Sequence, residues 1–304
     1  MCELKLVDLN EPDFFRALSA DGVGIQVGRL AIRVRSSIKS VGRGLRLLYG
    51  DYPLLDDNDF VDFNVSLERP NNLRRWFHPQ VDFSYDGMSP FKPLPLDHAF
   101  PMFEWGFNWC VVNAMHNHLI IHAAVVEKNG RAVIMPAPPG SGKSTLCAAL
   151  VSKGWRLLSD ELAMIALADG YLTPLPRPVG LKNNSIDIIR SFSPDMEFGP
   201  VVKDTHKGTV AHMKATDESI SRARDVAQAA WIIFPRYIEH FDTSLVPLSK
   251  AQTLMQVASN SFNYSVLGES GFRALESLVD RCGCYSFSYS RLEEAIAAFD
   301  GLKV

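Results

Sequence analysis

The first hundred residues carry alternating strand-like and helix-like hydrophobic patterns. Residues 24–36 alternate apolar and polar side chains around a glycine, which predicts a strand or a hairpin. Residues 37–50 then place apolar side chains at helical spacing. Two further strand-like segments, 60–67 and 81–85, complete a small α+β unit that we assign to residues 1–100. The proline-rich residues 89–101 predict a linker at its end.

Residues 101–304 have the pattern of a larger α/β domain. A buried helix is expected over residues 102–117, and strands are expected at 132–135, 155–159 and 230–234. Before the first of these strands, two apolar runs are joined by Asn129-Gly130, a dipeptide that favours a two-residue hairpin turn. The antiparallel register from that turn places His122 opposite Ala137 and makes the predicted sheet a mixed one. The chain closes on an amphipathic helix over residues 291–299.

Composition and charge exclude several classes of function. The 304 residues are 47% hydrophobic with a formal net charge of −3, which gives no electrostatic reason to expect a nucleic-acid partner. No apolar window approaches the roughly 18 residues that cross a bilayer, and the acidic N-terminus does not resemble a signal peptide. The cysteines have no metal-ligand or disulfide spacing, so we expect reduced thiols in a cytoplasmic protein without a membrane partner. These are Cys2, Cys110, Cys147, Cys282 and Cys284.

Residues 137–144, APPGSGKS, match the phosphate-loop pattern GxxxxGK[ST], except that Ala137 stands at the first glycine position. A predicted strand enters this segment and a predicted helix leaves it. In that setting backbone N–H groups and the positive end of the helix dipole can bind phosphates. Lys143 would reach the β- and γ-phosphates of ATP, and Ser144 would hold Mg²⁺. The predicted nucleotide-binding residues are Pro139, Gly140, Ser141, Gly142, Lys143, Ser144 and Thr145.

Three titratable residues are expected near this loop. A right-handed crossover after the loop helix returns the chain to the loop mouth at Asp160 and Glu161. Carboxylates there can bind the metal or take a proton, although two solvated acids after a strand are the alternative. His122 could orient a carboxylate or hold a phosphate, or it could be a satisfied core histidine.

The spacing of these residues resembles that of the HPr kinase/phosphorylase superfamily. His122 lies 21 residues before Lys143, and Asp160 lies 17 residues after it, as in HPr kinases. Residues 104–109, 174–191, 204–208 and 263–272 are similar to the HPr-kinase-related kinases of the A type. The second acid is glutamate where HPr kinases have aspartate, and the second HPr kinase signature is not found.

This resemblance implies a P-loop nucleotide-binding core of the HPr kinase/PEP carboxykinase type and transfer of the γ-phosphoryl group of ATP. Asp160 would take the proton of an acceptor hydroxyl with help from His122, and Lys143 would neutralise the transferred group. Ser144, Glu161 and Asp160 would bind Mg²⁺. HPr kinases form hexamers, so the resemblance allows a homo-oligomer, but the sequence leaves the oligomeric state open.

Four cations follow the nucleotide core in loop-like contexts: Arg177, Lys182, Lys207 and Arg236. Each could contact phosphates or an anionic acceptor, or could be ordinary surface charge. Lys207 is the preferred candidate, because residues 204–208, DTHKG, have the composition of a binding loop. The aromatic residues of 104–109 are expected to pack in the core rather than stack on a base.

The leading hypothesis is an ATP- and Mg²⁺-dependent phosphotransferase that acts on a hydroxyl, most simply the serine of a peptide or small protein. A small-molecule kinase and a PEP carboxykinase-like enzyme are alternatives within the enzymes. A nucleotide-binding regulatory module without efficient transfer is the alternative from another class. The sequence does not distinguish a peptide hydroxyl from that of a sugar or metabolite.

Overall fold

The computed structural model describes residues 4–71 and 77–302, whose strands form three sheets of five, eight and three strands. Together with the helices around them they give an α/β protein with mixed sheets. In the described part Cys110, Cys147, Cys282 and Cys284 are free and buried, whereas Cys2 lies outside it. None of the helices in residues 4–71 and 77–302 combines the length and apolar character needed to cross a bilayer.

The five-stranded sheet has the order β1-β2-β3-β4-β5. Its first two strands form the predicted antiparallel hairpin, and β2 and β3 are parallel. The helix predicted after the hairpin is confirmed as α2. The elements are α1 (Glu11–Ser19), β1 (Val23–Val27), β2 (Leu30–Ser36), α2 (Lys39–Leu48), β3 (Phe63–Glu68), β4 (Gln80–Tyr85) and β5 (Leu94–Pro95), with 3-10 turns at Leu6–Asp8 and Leu96–His98.

The predicted linker is partly structured. Residues 94–98 form β5 and a 3-10 turn, and helix α3 (Ala99–Ala114) begins directly after them. Pro101 lies in the first turn of α3, where its missing N–H breaks no helical hydrogen bond. The helix therefore begins and ends earlier than the sequence pattern predicted. It packs closely on β4, because a Cβ built at Gly106 would lie 2.2 Å from the Phe83 ring.

The eight-stranded sheet has the order β10-β9-β6-β7-β14-β16-β15, with β8 also paired to β6. Strand β14 runs parallel to both of its neighbours, β7 and β16, whereas β6 is antiparallel to β7. The strands are β6 (His118–Lys128), β7 (Arg131–Pro136), β8 (Arg156–Ser159), β9 (Leu162–Ala166), β10 (Leu172–Thr173), β14 (Gln228–Tyr237), β15 (Ser244–Pro247) and β16 (Gly283–Tyr289).

The β6–β7 hairpin has the predicted register. Lys128 pairs with Arg131, and the ladder continues in step to Ala123 and Pro136. It ends there, one pair before His122, which pairs on its other side with Leu162 of β9. Asn129 and Gly130 both have positive φ, at 55° and 78°, as the favoured two-residue turn requires.

A three-stranded sheet and the remaining helices complete the described fold. The small sheet has the order β11-β13-β12, and its strand β11 packs against α4 and α5. The elements are α4 (Lys143–Ser152), β11 (Val179–Lys182), α5 (Asn184–Phe192), β12 (Val202–Thr205), β13 (Gly208–Met213), α6 (Asp217–Ser221), α7 (Lys250–Ser259), α8 (Tyr264–Leu267), α9 (Glu269–Arg281) and α10 (Leu292–Asp300).

The large sheet has a different hydrophobic core on each face. Along β6, Ile120, Ala124 and Val126 pack with α4 and α10, whereas Leu119 and Ile121 pack with α7 and α9. Because side chains alternate along a strand, this assignment also fixes the face of the polar residues between them. The division into domains at residues 1–100 and 101–304 stays a prediction.

Candidate functional site

The glycine loop, residues 137–142, connects β7 to α4. Gly140 and Gly142 have φ values of +85° and +87°, a region that residues with a Cβ enter only at a cost. Ala137 is buried and has a φ outside that region, so the alanine at the first glycine position causes no backbone strain. Helix α4 begins at Lys143, which leaves its N-terminal N–H groups at the loop.

Two tyrosines from the large sheet fix the conformation of the loop. The Tyr289 hydroxyl donates to the Gly142 carbonyl at 3.1 Å, and the Tyr237 N–H donates to the Ser141 carbonyl at 2.9 Å. A Cβ at Gly142 would lie 2.7 Å from Tyr289 Oη, so this close contact also requires glycine. Neither tyrosine is predicted from the sequence, since no local motif marks them. Strand alternation from Ile233 and Phe287 would have placed them on the α4 face.

Several buried polar atoms around the loop have no partner. Four such side-chain atoms occur in residues 4–71 and 77–302, and three of them are Ser141 Oγ, Lys143 Nζ and Asp160 Oδ1. Lys143 is 7% exposed, and burial lowers the pKa of its ammonium although Asp160 and Glu161 oppose this. Unsatisfied polar atoms are rare in protein interiors because each one lowers stability. Their concentration here indicates a site for a polar ligand.

The adjacent acids Asp160 and Glu161 differ in their electrostatic environment. Burial and the Glu161 charge raise the pKa of Asp160 to about 6, although Lys143, the Gly180 N–H and the Ser144 hydroxyl oppose the rise. Burial would also raise the pKa of Glu161, but Lys207, Lys143 and Lys182 hold it below the usual value. One acid can therefore exchange a proton near neutral pH while its neighbour stays ionised.

His122 faces the glycine loop from β6. It lies in step with Ile120 and Ala124, so alternation places its side chain on the α4 face of the sheet. Burial and the nearby Lys143 lower the pKa of His122 to about 4, which makes the ring neutral at pH 7. Its ring lies 5.6 Å from that of Phe262. A neutral imidazole at this place can both donate and accept a hydrogen bond.

A cleft of about 710 Å³ opens over the loop, a volume within the range of small-molecule sites. All seven predicted nucleotide-binding residues line it, together with the polar side chains of His122, Glu161 and Lys182. Ile188, Leu292 and the half-exposed Tyr237 provide apolar and aromatic surface. A second cavity of about 30 Å³ lies beside Asp160, and Glu161, Gly180 and Lys182 line both spaces.

The four predicted cations have different positions. Lys182 lines the cleft, and Lys207 lies near Glu161 with its ammonium 5.0 Å from the Trp105 ring centroid. Arg177 is 8% exposed and bonded to Glu104 and Asn108, so it is not free to bind a phosphate. Arg236 is exposed and does not line the cleft, because it alternates with Tyr237 along β14 and points to the opposite face.

The aromatic segment 104–109 divides between the core and the site. Glu104 and Phe107 are buried, but Trp105 and Asn108 line the small cavity. Asn108 Nδ2 donates to Glu161 Oε2 at 2.7 Å. This contact is not predicted from the sequence. Helical spacing places Asn108 on the same face of α3 as Glu104, but only the fold brings that face to Glu161.

The donor set fits Mg²⁺ that arrives with a phosphate ligand. Asp160, Glu161 and Ser144 supply the hard oxygen ligands that Mg²⁺ prefers. Within residues 4–71 and 77–302 there is no group of three or more His, Cys, Asp or Glu side chains that could hold a metal alone. Mg²⁺ commonly binds through one or two carboxylates and completes its shell with phosphate oxygens and water.

Comparison with known proteins gives one similarity over part of the chain. The model of a family described as SynChlorMet cassette protein ScmC matches residues 105–189, somewhat more than a quarter of the chain. No curated protein sequence matches. The matched segment contains His122, the glycine loop and both acids.

Proposed function

We propose that the protein is an ATP- and Mg²⁺-dependent kinase that transfers the γ-phosphoryl group to a hydroxyl. The observation that carries this proposal is the set of unpartnered buried atoms at the glycine loop. They are an ammonium, a hydroxyl and a carboxylate oxygen, at Lys143, Ser141 and Asp160. The first two suit phosphate oxygens, and the third suits the proton of an acceptor.

The cleft has separate regions suited to the two halves of ATP. The loop N–H groups, the start of α4 and Lys143 would hold the phosphates. Tyr237 and Ile188, which are 49% and 48% exposed at the cleft, would cover the base. Glu161 and Ser144 would hold Mg²⁺, which when bound neutralises charge on the phosphates.

Asp160 has the properties of a proton acceptor for this reaction. The acceptor oxygen would form a bond to the γ-phosphorus as the bond to the bridging β–γ oxygen breaks, and ADP would leave. The hydroxyl proton would pass to Asp160, which its pKa of about 6 leaves mostly ionised at pH 7. His122, neutral at that pH, would hydrogen-bond to the phosphoryl group or the acceptor. Lys182 lines both cavities, so a movement of its side chain would open Asp160 to the acceptor.

We further propose that the core is of the HPr kinase/PEP carboxykinase type. The mixed sheet, the hairpin that enters the glycine loop and the intervals between His122, Lys143 and Asp160 support this. The ScmC similarity spans those three residues. A peptide or small-protein serine is the proposed acceptor, with a metabolite hydroxyl as the alternative.

Nucleotide binding and transfer are tested separately. Calorimetry should detect Mg·ADP binding to the intact protein. The Lys143→Met variant should bind Mg·ADP with at least tenfold lower affinity. The protein is then incubated with γ-labelled ATP, Mg²⁺ and an extract of the cells that make it, beside Asp160→Asn. The extract is separated into protein, peptide and metabolite fractions.

We expect label in one fraction with the intact protein and none with Asp160→Asn, although the variant still binds Mg·ADP. The labelled fraction identifies the acceptor class. Absence of nucleotide binding would refute the proposal as a whole. Binding without Asp160-dependent transfer would instead indicate a regulatory nucleotide-binding module.

A further inference from the structure

A chain of buried hydrogen bonds leads from the end of α2 to Glu161. The Tyr49 hydroxyl donates to Glu104 Oε1 at 2.8 Å, and Arg177 Nη1 donates to Glu104 Oε2 at 3.2 Å. Arg177 Nη2 donates to Asn108 Oδ1, and Asn108 Nδ2 donates to Glu161 Oε2 at 2.7 Å. Arg177 also lies over the Phe107 ring, 4.8 Å from its centroid.

The direction of this chain is fixed by chemistry. A guanidinium can only donate hydrogen bonds, so Arg177 must face the amide oxygen of Asn108. The amide NH₂ group is then left to face Glu161, which as a carboxylate can only accept. Tyr49 and Arg177 take one oxygen each of Glu104, so that carboxylate in turn holds the guanidinium in place.

Glu161 needs such a restraint because cations surround it. Lys207, Lys143 and Lys182 all lower its pKa, yet neither Lys207 nor Lys182 forms an ion pair with it within 4.0 Å in the described part of the chain. A glutamate side chain has three rotatable bonds, and a free one would turn toward the nearest ammonium. The bond from Asn108 opposes that rearrangement and saves part of the entropy of ordering the carboxylate.

We propose that Asn108 is a positioning residue that holds Glu161 in the orientation needed to bind a divalent metal with the nucleotide. Arg177 and Glu104 act on Glu161 through Asn108. The metal ligand rests on the proposed function, whereas the restraint on Glu161 does not.

The first test measures Mn²⁺ affinity by electron paramagnetic resonance in the presence of ADP. Asn108→Ala should weaken Mn²⁺ binding by about 10- to 100-fold, the usual effect of removing a group that supports a metal ligand. ADP affinity without metal should change less than twofold, which a general structural disruption would not allow. Asn113→Ala on the same helix is the matched control, because Asn113 is exposed and its amide donates to the Trp109 carbonyl, away from Glu161.

A double-mutant cycle identifies the residue through which Asn108 acts. In a Glu161→Gln background, Asn108→Ala should have less than a threefold further effect on Mn²⁺ affinity. Equal effects in both backgrounds would overturn the proposal. So would a parallel loss of metal-free ADP binding.

A crystal structure of ligand-free Asn108→Ala tests the restraint without any nucleotide. We expect the Glu161 carboxylate to turn toward Lys207 or Lys182, and an unmoved carboxylate would overturn the proposal. If the intact protein binds neither Mn²⁺ nor ADP, the proposed function fails, and this structure still decides whether Asn108 positions Glu161.

Discussion

The Gly180 N–H donates to Asp160 Oδ2 at 3.0 Å, while Oδ1 of the same carboxylate is buried and has no partner among the described residues. Strand β11 thus holds one oxygen in place and leaves the other for a ligand. A buried, ionised carboxylate with one unpaired oxygen lowers the stability of the folded protein, as the raised pKa of Asp160 indicates. Groups that lower stability and lie in a cleft are candidates for function rather than for folding.

Replacing Asp160 should therefore stabilise the ligand-free protein while abolishing transfer. Its pKa rises from 3.8 to about 6 on folding, so the folded state binds the proton more tightly. This contribution to stability is complete below pH 3.8 and is lost as pH rises through about 6. At pH 7.5, Asp160→Asn should raise the free energy of unfolding by up to about 3 kcal/mol, measured by urea denaturation.

Exposed Asp195→Asn is the control and should change stability by less than about 0.5 kcal/mol. Destabilisation by Asp160→Asn at pH 7.5 would show that the Asp160 charge is compensated in the folded protein.

His122, which lines the cleft, and the buried His212 should both stay neutral over the physiological pH range. Burial is the main cause that lowers the pKa of each to about 4. Because the unfolded chain binds these protons more tightly, stability should fall as pH decreases from 6.5 to about 4. Long-range ¹⁵N NMR spectra should show no titration of either ring between pH 5.5 and 8. His122→Gln should reduce the loss of stability at acid pH, and a His122 titration near pH 6.5 would contradict this prediction.

The two loop glycines should respond differently to alanine. Both have positive φ, so each substitution strains the backbone by about 1 kcal/mol. At Gly140 no described residue other than its two chain neighbours lies within 4 Å of the new Cβ, whereas at Gly142 Tyr289 Oη lies at 2.7 Å. Gly142→Ala should be the more destabilising in urea denaturation, by at least about 1 kcal/mol. Tyr289→Phe should partly rescue it by removing the contacting oxygen, and equal effects of the two alanines would argue against this geometry.

Breaking the buried ion pair Arg156–Glu127 should destabilise the protein, whereas replacing Asp160 should stabilise it. Its atoms are 2.5 Å apart, the side chains are 2% and 1% exposed, and Arg156 also donates to the Arg222 and Asp225 carbonyls. Glu127→Ala leaves a buried guanidinium unpaired and should cost about 3–5 kcal/mol by urea denaturation. Glu269→Ala, which breaks an exposed ion pair with Arg273, should cost less than about 1 kcal/mol. Similar losses for both would mean that water reaches Arg156.

The local features of the site could be predicted from sequence because their causes are local. The Asn129-Gly130 turn sets the hairpin register within a few residues, and the register carries His122 to the start of the glycine loop. The segment around Gly140, Gly142 and Lys143 has the predicted strand–loop–helix form. Its strand, its turn and its helix start each depend on neighbouring residues. The short crossover through α4 likewise returns the chain to the loop at Asp160.

Tertiary structure decided which residues join that site. Lys182, Lys207, Arg177 and Arg236 are all candidate cations in the sequence, with Lys207 preferred, but burial places Arg177 in a structural network and strand alternation turns Arg236 away. Asn108, Tyr237 and Tyr289 come from elements far apart in the chain and carry no local motif. The opposite pKa directions of Asp160 and Glu161 likewise depend on burial and on cations from distant loops. Short-range conformational preferences therefore determined the loop and its intervals, whereas long-range packing determined the charges and contacts around it.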